Sequence, residues 1–221
     1  MKGSARISTG TISDVLDSIG KLGTLSKDMT SSNRSNHYFF GEAYTVQWAP
    51  NRKGHSILQE QKSTWNQVRK FLVPKLSSGK GKVYVAGAGP LMKDYALAGG
   101  LSLSYFSKIG FEGAVFGGAI RDREVVENLS IPVVCSNYTP ADSQGNYCVT
   151  ETGTNCVVEN ILINTGDWIY SDSTGTVVVP KDHLDYVLKE SERIERIETL
   201  LMSEISNGRP LAQVIDEIGR I

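Results

Sequence analysis

The chain has 221 residues, of which 40% are hydrophobic and 21% are charged, and its formal net charge is −1. This composition is typical of a globular protein and excludes a chain that is disordered throughout. The near balance of acids and bases disfavours nucleic-acid binding by bulk electrostatic attraction, because no excess of positive charge is present to neutralise phosphates. A chain of this length can bury a core without disulfides or structural metals.

The number and spacing of the cysteines, and the hydropathy of the chain, indicate the class of protein and its compartment. Cys135, Cys148 and Cys156 are an odd number of cysteines without a CxxC spacing, which disfavours both a disulfide framework and a cysteine-rich zinc site. The first residues lack the apolar segment of a signal peptide, and no apolar run approaches the roughly 20 residues of a membrane-spanning helix. We therefore expect a soluble, cytoplasmic protein with reduced thiols and no membrane partner.

Hydrophobic periodicity predicts the elements in chain order. A helix is expected over residues 11–19, capped by Thr11 and Asp14, and a polar loop over 26–36. The next elements are a strand at 44–48, a helix at 56–72, a strand at 82–86, a helix at 100–108, a strand at 113–117, a helix at 122–129 and a strand at 131–135. After a polar segment at 137–154 come strands at 156–163, 168–170 and 176–179, and helices that begin near Leu184 and Pro210. This order predicts an α/β domain with a mixed sheet and a helical C-terminal extension.

The segment Gly87-Ala88-Gly89-Pro90 follows a predicted strand and so suggests a dinucleotide-binding turn. The third glycine of that motif would stand at position 92, which is Met92, and Pro90 lies inside the expected phosphate turn. An ordinary turn at the end of a strand is therefore the interpretation that we favour. A methyltransferase also has little support, because the sequence has no convincing glycine-rich cofactor loop.

The segment Gly99-Gly100-Leu101-Ser102 begins a predicted helix. Main-chain N–H groups at a helix start have no intrahelical acceptor, and together with the helix dipole they can bind a carboxylate or a phosphate. Two glycines would leave those groups sterically open. The alternative is a glycine-rich turn that only lets the helix pack closely against a strand.

Arg121 and Asp122 follow a predicted strand and two glycines. An arginine can bind a substrate carboxylate through two parallel hydrogen bonds, and an aspartate can ligate a hard cation such as Mg²⁺. A 2-oxo acid chelated by such a cation would have its carbonyl group polarised. The alternative is a surface pair in which Asp122 caps the next helix.

The three histidines give weaker indications. His37 lies in a polar loop and His183 in the first turn of the terminal helix, so we expect surface positions for both. His55 stands at a predicted helix start and is a weak candidate for a site residue.

Taken together, these segments resemble the RraA-like family. The matching segments are STGTISDVLD (8–17), GEAYTV (41–46), GKVYV (81–85), the stretch from Gly99 through GAVFGGAIRD (113–122) to IPV (131–133), and GDWIYSDSTGTVVVP (166–180). No single motif is specific, but their order and spacing over about residues 8–200 are. The family contains the regulator of ribonuclease E activity and class II pyruvate aldolases that act on 4-hydroxy-4-methyl-2-oxoglutarate. Some members carry the mistaken name demethylmenaquinone methyltransferase.

The resemblance implies a swivelling β/β/α-type sandwich, with residues 1–180 as an α/β domain and residues 181–221 as its helical extension. It also implies a homotrimer or hexamer with sites between subunits. In the aldolases, the residues that match Arg121 and Asp122 anchor the pyruvate carboxylate and ligate Mg²⁺ or Mn²⁺. The other substrate contacts implied are the helix-start residues Gly99, Gly100, Leu101 and Ser102.

The chain departs from the aldolase pattern at one site position. The pattern has an acid twenty-one positions before the arginine, where this chain has Gly100, and the common aspartate four positions before it is Gly117. The first acid is associated in the family with the metal-bound water, so the departure concerns proton transfer. Asp94, Glu112 or a residue of a neighbouring subunit are the possible replacements.

We therefore expect a lyase that depends on Mg²⁺ or Mn²⁺ and acts on a small 2-oxo acid. The reaction would be the retro-aldol cleavage of a 4-hydroxy-2-oxo acid, the decarboxylation of an oxaloacetate-like acid, or both, since each leaves a pyruvate enolate. The alternative is a non-catalytic regulatory or binding protein of the same fold. Asp122 favours the enzyme, and Gly100 favours the regulator.

Overall fold

The computed structural model describes residues 6–31, 37–51, 65–72 and 75–219, with the main chain alone at 65–68. The helices in these ranges are α1 (Thr9–Ser18), α2 (Trp65–Leu72), α3 (Gly100–Ile109), α4 (Arg123–Glu127), α5 (Leu184–Ser206) and α6 (Leu211–Ile218). The strands are β1 (Thr30–Ser31), β2 (Tyr38–Pro50), β3 (Lys82–Gly87), β4 (Met92–Ala96), β5 (Gly113–Phe116), β6 (Gly118–Ile120), β7 (Val133–Cys135), β8 (Asn137–Tyr138), β9 (Tyr147–Thr152), β10 (Asn155–Val158), β11 (Ile161–Asn164), β12 (Trp168–Asp172) and β13 (Thr176–Val179).

The main sheet is mixed. Among the described residues it has eight strands in the order β1-β7-β5-β3-β2-β12-β13, with β9 paired to the far end of β2. Strands β2, β3, β5 and β7 run parallel to one another, whereas β1, β9, β12 and β13 pair antiparallel with their neighbours. Strands β3 and β5 are nearly all buried, as is usual for parallel strands that are covered on both faces. The mixed sheet and the helical C-terminal extension confirm the predicted fold class.

The two faces of the sheet have separate cores because successive strand residues point to opposite sides. On one face, Tyr84 stacks on Phe106 of α3 with ring centroids 4.2 Å apart, and Phe116 adds to the same cluster. On the other face, Val83 and Val85 pack with Ile169 and with the β10–β11 hairpin. The aromatic cluster presses α3 onto the sheet. Since only residues 110–112 connect α3 to β5, the start of α3 lies towards the carboxyl end of that strand.

A smaller parallel sheet, β4-β6-β8, continues from this edge. Its chains lie close together, because a Cβ atom at Gly118 would come within 2.5 Å of the Met92 carbonyl oxygen. Strand β6 ends at Ile120, so Arg121 and Asp122, which follow it, lie near the start of α3.

Several elements differ from their predicted bounds. Strand β2 is far longer than residues 44–48, because its first half pairs with β12 and its second half with β9. The predicted strand at 156–163 is a hairpin that turns at Glu159, whose φ is +57°. The polar segment at 137–154 contains β8 and β9, and β9 includes the exposed polar residues Thr150 and Glu151. Of the predicted helix at 56–72, residues 56–64 lie outside the described residues.

The first helix begins earlier than predicted, and its cap is different. Ser8, rather than Thr11 with Asp14, is the N-cap, and its Oγ accepts a hydrogen bond from the Thr11 N–H at 3.0 Å. Glu195 of α5 accepts hydrogen bonds from the Ser8 N–H and the Thr11 hydroxyl, at 2.9 and 2.8 Å. These hydrogen bonds join α5 to the beginning of α1. No helix in the described ranges is long and apolar enough to cross a membrane.

Asp172 joins the first helix to the β12–β13 turn. Its carboxylate is buried and accepts hydrogen bonds from the Thr9 N–H (2.9 Å), the Thr9 hydroxyl (2.7 Å) and the Thr174 N–H (2.8 Å). Burial on its own raises the pKa of Asp172, but these hydrogen bonds outweigh it and hold the pKa below its ordinary value. The charged form therefore stabilises the fold.

We expect Asp172→Asn to lower the free energy of unfolding by about 1–3 kcal/mol at neutral pH, because buried N–H donors lose a charged acceptor. The contribution of Asp172 is complete above the ordinary pKa of 3.8 and is lost as the pH falls through the lower folded-state pKa. Urea unfolding at pH 7 and below pH 4 should therefore show a deficit that shrinks in acid. Asp216→Asn, at an exposed position on α6, is the matched control. A deficit of the same size at both pH values would contradict this account.

Candidate functional site

Main-chain hydrogen bonds bring the two predicted site segments together. The Leu97 N–H donates to the Ala119 carbonyl at 2.9 Å, and the Arg121 N–H donates to the Ala98 carbonyl at 3.0 Å. The chain just before α3 is therefore tied to the end of β6. Arg121 and Asp122 consequently stand beside the first residues of α3.

The carboxylate of Asp122 caps α3, across the fold, and not the helix that follows Asp122 in the sequence. Its Oδ2 accepts a hydrogen bond from the Gly100 N–H at 2.8 Å, and its side chain makes no capping bond to α4. The residue has φ +61° and ψ +51°, a left-handed conformation that aspartate tolerates better than most residues. Strained conformations of this kind often occur at functional sites. Asp122 does occupy the N-cap position of α4, where its main-chain carbonyl accepts the Val125 and Val126 N–H groups at 3.0 and 3.1 Å, but its carboxylate is bonded to the start of α3.

Gly99 and Gly100 are required by close contacts. A Cβ atom at Gly99 would lie 2.5 Å from Asp122 Oδ2 and 3.0 Å from Arg121 Nε. A Cβ atom at Gly100 would lie 2.8 Å from Val125 Cγ1. The interpretation that these glycines allow close packing is therefore correct. At Gly99 the groups that pack closely are the side chains of Asp122 and Arg121. A side chain at position 100 would therefore meet that of Val125.

The next two residues of α3 contribute differently. Ser102 is buried, and its Oγ donates to the Gly99 carbonyl at 2.9 Å and accepts from the Gly99 N–H at 3.2 Å. Its hydroxyl is therefore used within the helix start. Leu101 is 77% exposed. The N–H groups of both residues belong to the first turn, which has no intrahelical acceptors.

Asp142 is a site residue that the sequence did not indicate. Its Oδ2 lies 3.2 Å from Arg121 NH1, while Asp122 Oδ2 lies 3.8 Å from Arg121 Nε. The Ala96 N–H donates to the Ala141 carbonyl at 2.8 Å, and Ala96 and Asp142 form a parallel bridge that extends the small sheet. Arg121 thus lies between two carboxylates, and the three side chains are 36–46% exposed.

Two depressions meet at these charges. The inner cleft, of about 90 Å³, lies between α3, the end of α2 and the segment around Asp142. Its described lining is Phe71, Leu72, Ala96, Leu97, Ala98, Gly99, Leu101, Ser102, Arg121, Asp122, Asp142, Ser143 and Gln144. The outer cleft, of about 370 Å³, is more open and is lined by Arg121, Asp122, Arg123, Tyr138, Thr139 and Pro140. Arg121 and Asp122 belong to both, so a small molecule in either cleft can contact them.

Glu112 and Asp94, the two acids of this chain considered as replacements, lie outside the described lining of both clefts. Glu112 precedes β5, and its Oε1 accepts from the Gly81 N–H at 3.0 Å, at the opposite end of that strand from Arg121. Asp94 is exposed on β4 and is absent from the described lining of both clefts. Neither carboxylate is therefore among the described groups that surround Arg121.

The remaining candidates lie elsewhere. The prediction of a surface position for His37 was wrong: it is 5% exposed, and its Nε2 lies 2.9 Å from the Ser171 hydroxyl. The polar residues around His37 indicated a loop, whereas His37 directly precedes the long strand β2. His183 ends a short 3₁₀ turn and is half-buried, and His55 lies outside the described residues. Burial raises the pKa of the Cys156 thiol to about 12, which disfavours a nucleophilic role at neutral pH.

The Gly87–Pro90 segment is an ordinary turn. Gly89 has φ +78°, and its N–H donates to the Val157 carbonyl at 2.9 Å. A Cβ atom at Gly87 would collide with the same carbonyl group. The turn is therefore packed against β10, where a dinucleotide phosphate would need space.

Comparison with known proteins agrees with this architecture. The family model RraA-like, described as Aldolase/RraA, matches residues 9–178. A Pseudomonas aeruginosa protein provisionally named 4-hydroxy-4-methyl-2-oxoglutarate aldolase is 28% identical over 174 residues, which is 76% of this chain and 93% of that protein. The crystal structure of Streptomyces coelicolor RraAS2, described as an unusual member of the RNase ES inhibitor RraA protein family, has a TM-score of 0.75 at 25% identity. That match covers 90% of this chain and 94% of RraAS2.

A longer relative matches as well. Protein DlpA of Legionella pneumophila is 25% identical over 206 residues, which is 93% of this chain. The chain spans only 31% of the length of DlpA. Because the family model covers most of the sequence, the conclusion does not depend on that partial match: the chain belongs to the RraA-like family.

Proposed function

We propose that the protein is a lyase that breaks a carbon–carbon bond of a 2-oxo acid with the help of a divalent cation. The observation that supports this most directly is the convergence of Arg121, Asp122 and the start of α3, with the Gly100 N–H bonded to Asp122 at 2.8 Å. In that group, Arg121 can bind a carboxylate, Asp122 can ligate a metal ion, and the start of α3 supplies main-chain N–H donors. The name of the Pseudomonas relative supports the reaction class.

The residues at Asp122 fit a Mg²⁺ or Mn²⁺ ion. Oδ2 of Asp122 accepts the Gly100 N–H, and the structure gives Oδ1 no partner among the described residues. Proteins often hold Mg²⁺ by one or two carboxylates, with waters and substrate oxygens completing the shell. No group of three or more His, Cys, Asp or Glu side chains that could enclose a metal occurs in the described ranges. The donor set therefore suits a cation that binds together with a chelating 2-oxo acid.

When bound, the cation would supply Lewis-acid polarisation of the 2-oxo group. Arg121 would bind the C1 carboxylate of the substrate through the donors that Asp142 does not use. The helix-start N–H groups of Leu101 and Ser102 would add positive potential near the same carboxylate. Asp122 would keep one orientation, because the Gly100 N–H holds it.

Retro-aldol cleavage and oxaloacetate-type decarboxylation use this site in the same way. Each breaks a bond at C3 and leaves the electron pair in a pyruvate enolate, whose negative charge develops at the 2-oxo oxygen. The two reactions differ in one step only, since the retro-aldol reaction also requires loss of the proton on the 4-hydroxyl.

Assembly into a homotrimer or hexamer, as the family resemblance implies, is part of the same proposal. The two terminal helices leave large apolar side chains in solvent, among them Leu200, Met202 and Leu211, at 52–62% exposure. A second copy of the chain could cover them. The assembly stays a prediction.

A non-catalytic regulatory role is the second candidate. The observation that favours it is Gly100, because this residue supplies no acid where the aldolase pattern has one. The likeness to RraAS2, whose description names an inhibitor family, also favours it. A protein of this kind would release no pyruvate under any condition.

The first test is metal dependence. We expect pyruvate release from 4-hydroxy-2-oxo acids or oxaloacetate to require Mg²⁺ or Mn²⁺ and to fall to background in Asp122→Asn, because the variant loses the negative charge that holds the cation. Asp94→Asn, which changes an exposed aspartate outside both clefts, should keep its activity. Undiminished turnover in EDTA would rule out the mechanism.

The second test separates a substrate-binding Arg121 from a structural one. Arg121→Lys keeps the charge and loses the two-pronged geometry. A lost charge-assisted contact is worth about 1.5–3 kcal/mol, or on the order of 10- to 100-fold in kcat/KM. The loss should be similar for every 2-oxo acid, because all share the C1 carboxylate. Arg193→Lys on α5 is the control, and a lower melting temperature with normal turnover would show that Arg121 only supports the fold.

The third test uses the contact between Gly99 and the charged pair. In Gly99→Ala the new methyl group would push the Asp122 carboxylate off the Gly100 N–H, while the main chain at Gly99 suits any residue, with φ −140°. We expect normal folding, weaker Mn²⁺ binding in an electron paramagnetic resonance titration, and slower turnover. Gly175→Ala, where a Cβ atom meets nothing within 4 Å, should change neither property. Unaltered Mn²⁺ binding in Gly99→Ala would place the cation elsewhere.

A further inference from the structure

The inner cleft contains a carboxylate that the proposed mechanism leaves without a role. Among its described lining residues the carboxylates are Asp122 and Asp142, on two sides of the Arg121 guanidinium. Asp122 is the one held by the helix start. Asp142 comes from a different segment. Position 100, where the aldolase pattern has an acid, is a glycine.

We propose that Asp142 is the general base of the retro-aldol reaction, taking the proton of the substrate 4-hydroxyl and returning it to C3. This inference rests on the proposed function. It assigns to a residue of this chain the proton transfer for which position 100 has no side chain.

The position of Asp142 suits that role. Its Oδ2 lies 3.2 Å from Arg121 NH1, and its Oδ1 accepts the Gln144 N–H at 3.3 Å, so both oxygens face polar partners. A substrate carboxylate on Arg121 is separated from C4 by three carbon–carbon bonds of about 1.5 Å each. The 4-hydroxyl of a bound substrate would therefore reach the surroundings of the guanidinium, where Asp142 is one of two carboxylates.

The main chain fixes this carboxylate. The Ala96 N–H donates to the Ala141 carbonyl at 2.8 Å, and the Asn146 and Tyr147 N–H groups both donate to the Ser143 carbonyl, at 3.1 and 2.8 Å. Asp142 thus stands at the start of a hydrogen-bonded turn that is attached to the small sheet. A base held on a rigid element is suited to accept a proton at one position.

The chemistry balances without a further reactant. The Asp142 carboxylate accepts the 4-hydroxyl proton as the C3–C4 bond breaks, C4 becomes the carbonyl of the leaving aldehyde or ketone, and the bonding pair passes to the pyruvate enolate. The protonated Asp142 then gives the same proton to C3. The products are pyruvate and one carbonyl compound, and the carboxylate is regenerated.

Decarboxylation of oxaloacetate provides the internal control. Oxaloacetate has no 4-hydroxyl proton to remove, and its C3–C4 bond breaks with loss of carbon dioxide. A general base is therefore needed for one reaction and dispensable for the bond-breaking step of the other. Arg121 and Asp122 serve both reactions alike.

The experiment compares the two reactions in Asp142→Asn. Cleavage of 4-hydroxy-2-oxopentanoate and of 4-hydroxy-4-methyl-2-oxoglutarate should slow by about 10²–10⁴-fold in kcat, the usual contribution of a general base. Oxaloacetate decarboxylation should keep its wild-type rate. Calorimetric titration with oxalate, a mimic of the pyruvate enolate, should give an affinity at or above that of the wild type, because Arg121 stays in place and loses a carboxylate that competes for its donors. Asp94→Asn is the matched control and should alter none of the three.

Each other outcome is informative. An equal fall of both reactions, with weaker oxalate binding, would show that Asp142 only positions Arg121 and would overturn the proposal. Unchanged aldol cleavage would overturn it as well. A wild-type protein that acts on neither substrate class would refute the proposed function itself. If Asp142→Asn fails to fold, Asp142→Glu applies the same test, because a carboxylate displaced by one methylene should slow aldol cleavage alone.

Discussion

The hydrogen bond from the Gly100 N–H to the Asp122 carboxylate connects the fold to its site. At 2.8 Å it joins the start of α3 to the residue after the small sheet, across twenty-two positions of sequence. It requires a left-handed main chain at Asp122 and glycines at positions 99 and 100. The aromatic cluster beneath α3, with Tyr84 stacked on Phe106, holds the other partner of that bond in place.

The charge balance of the site follows from this arrangement. Arg121, Asp122 and Asp142 together carry one net negative charge in a partly buried cleft. A divalent cation at Asp122 would change that net charge to one positive charge, which would attract the C1 carboxylate of a 2-oxo acid. Interactions between charges are stronger in a partly dry cleft than in bulk water, so this complementarity would favour binding of the cation and the acid together.

The sequence indicated those parts of the structure that depend on neighbouring residues. Arg121 with Asp122, and Gly99 with Gly100, were candidates because each is a local pattern at the end of a strand or the start of a helix, and the structure brings the two patterns together. The buried strands β3 and β5 were found because their residues are continuously apolar. Asp142 could not be found in this way, since it is positioned by an isolated bridge to Ala96 at the end of β4, and a single bridged residue has no detectable periodicity. His37 was misplaced because its polar neighbours resemble a loop, although the chain there enters a thirteen-residue strand.

The most direct test of the account is a crystal structure of the protein with Mn²⁺ and oxalate. We predict an anomalous manganese peak against the Asp122 carboxylate, with one oxalate carboxylate within hydrogen-bond distance of Arg121 and the Gly100 N–H still bonded to Asp122. Manganese and oxalate bound away from these residues, for example in the separate depression of about 420 Å³ beside His37, would contradict the account.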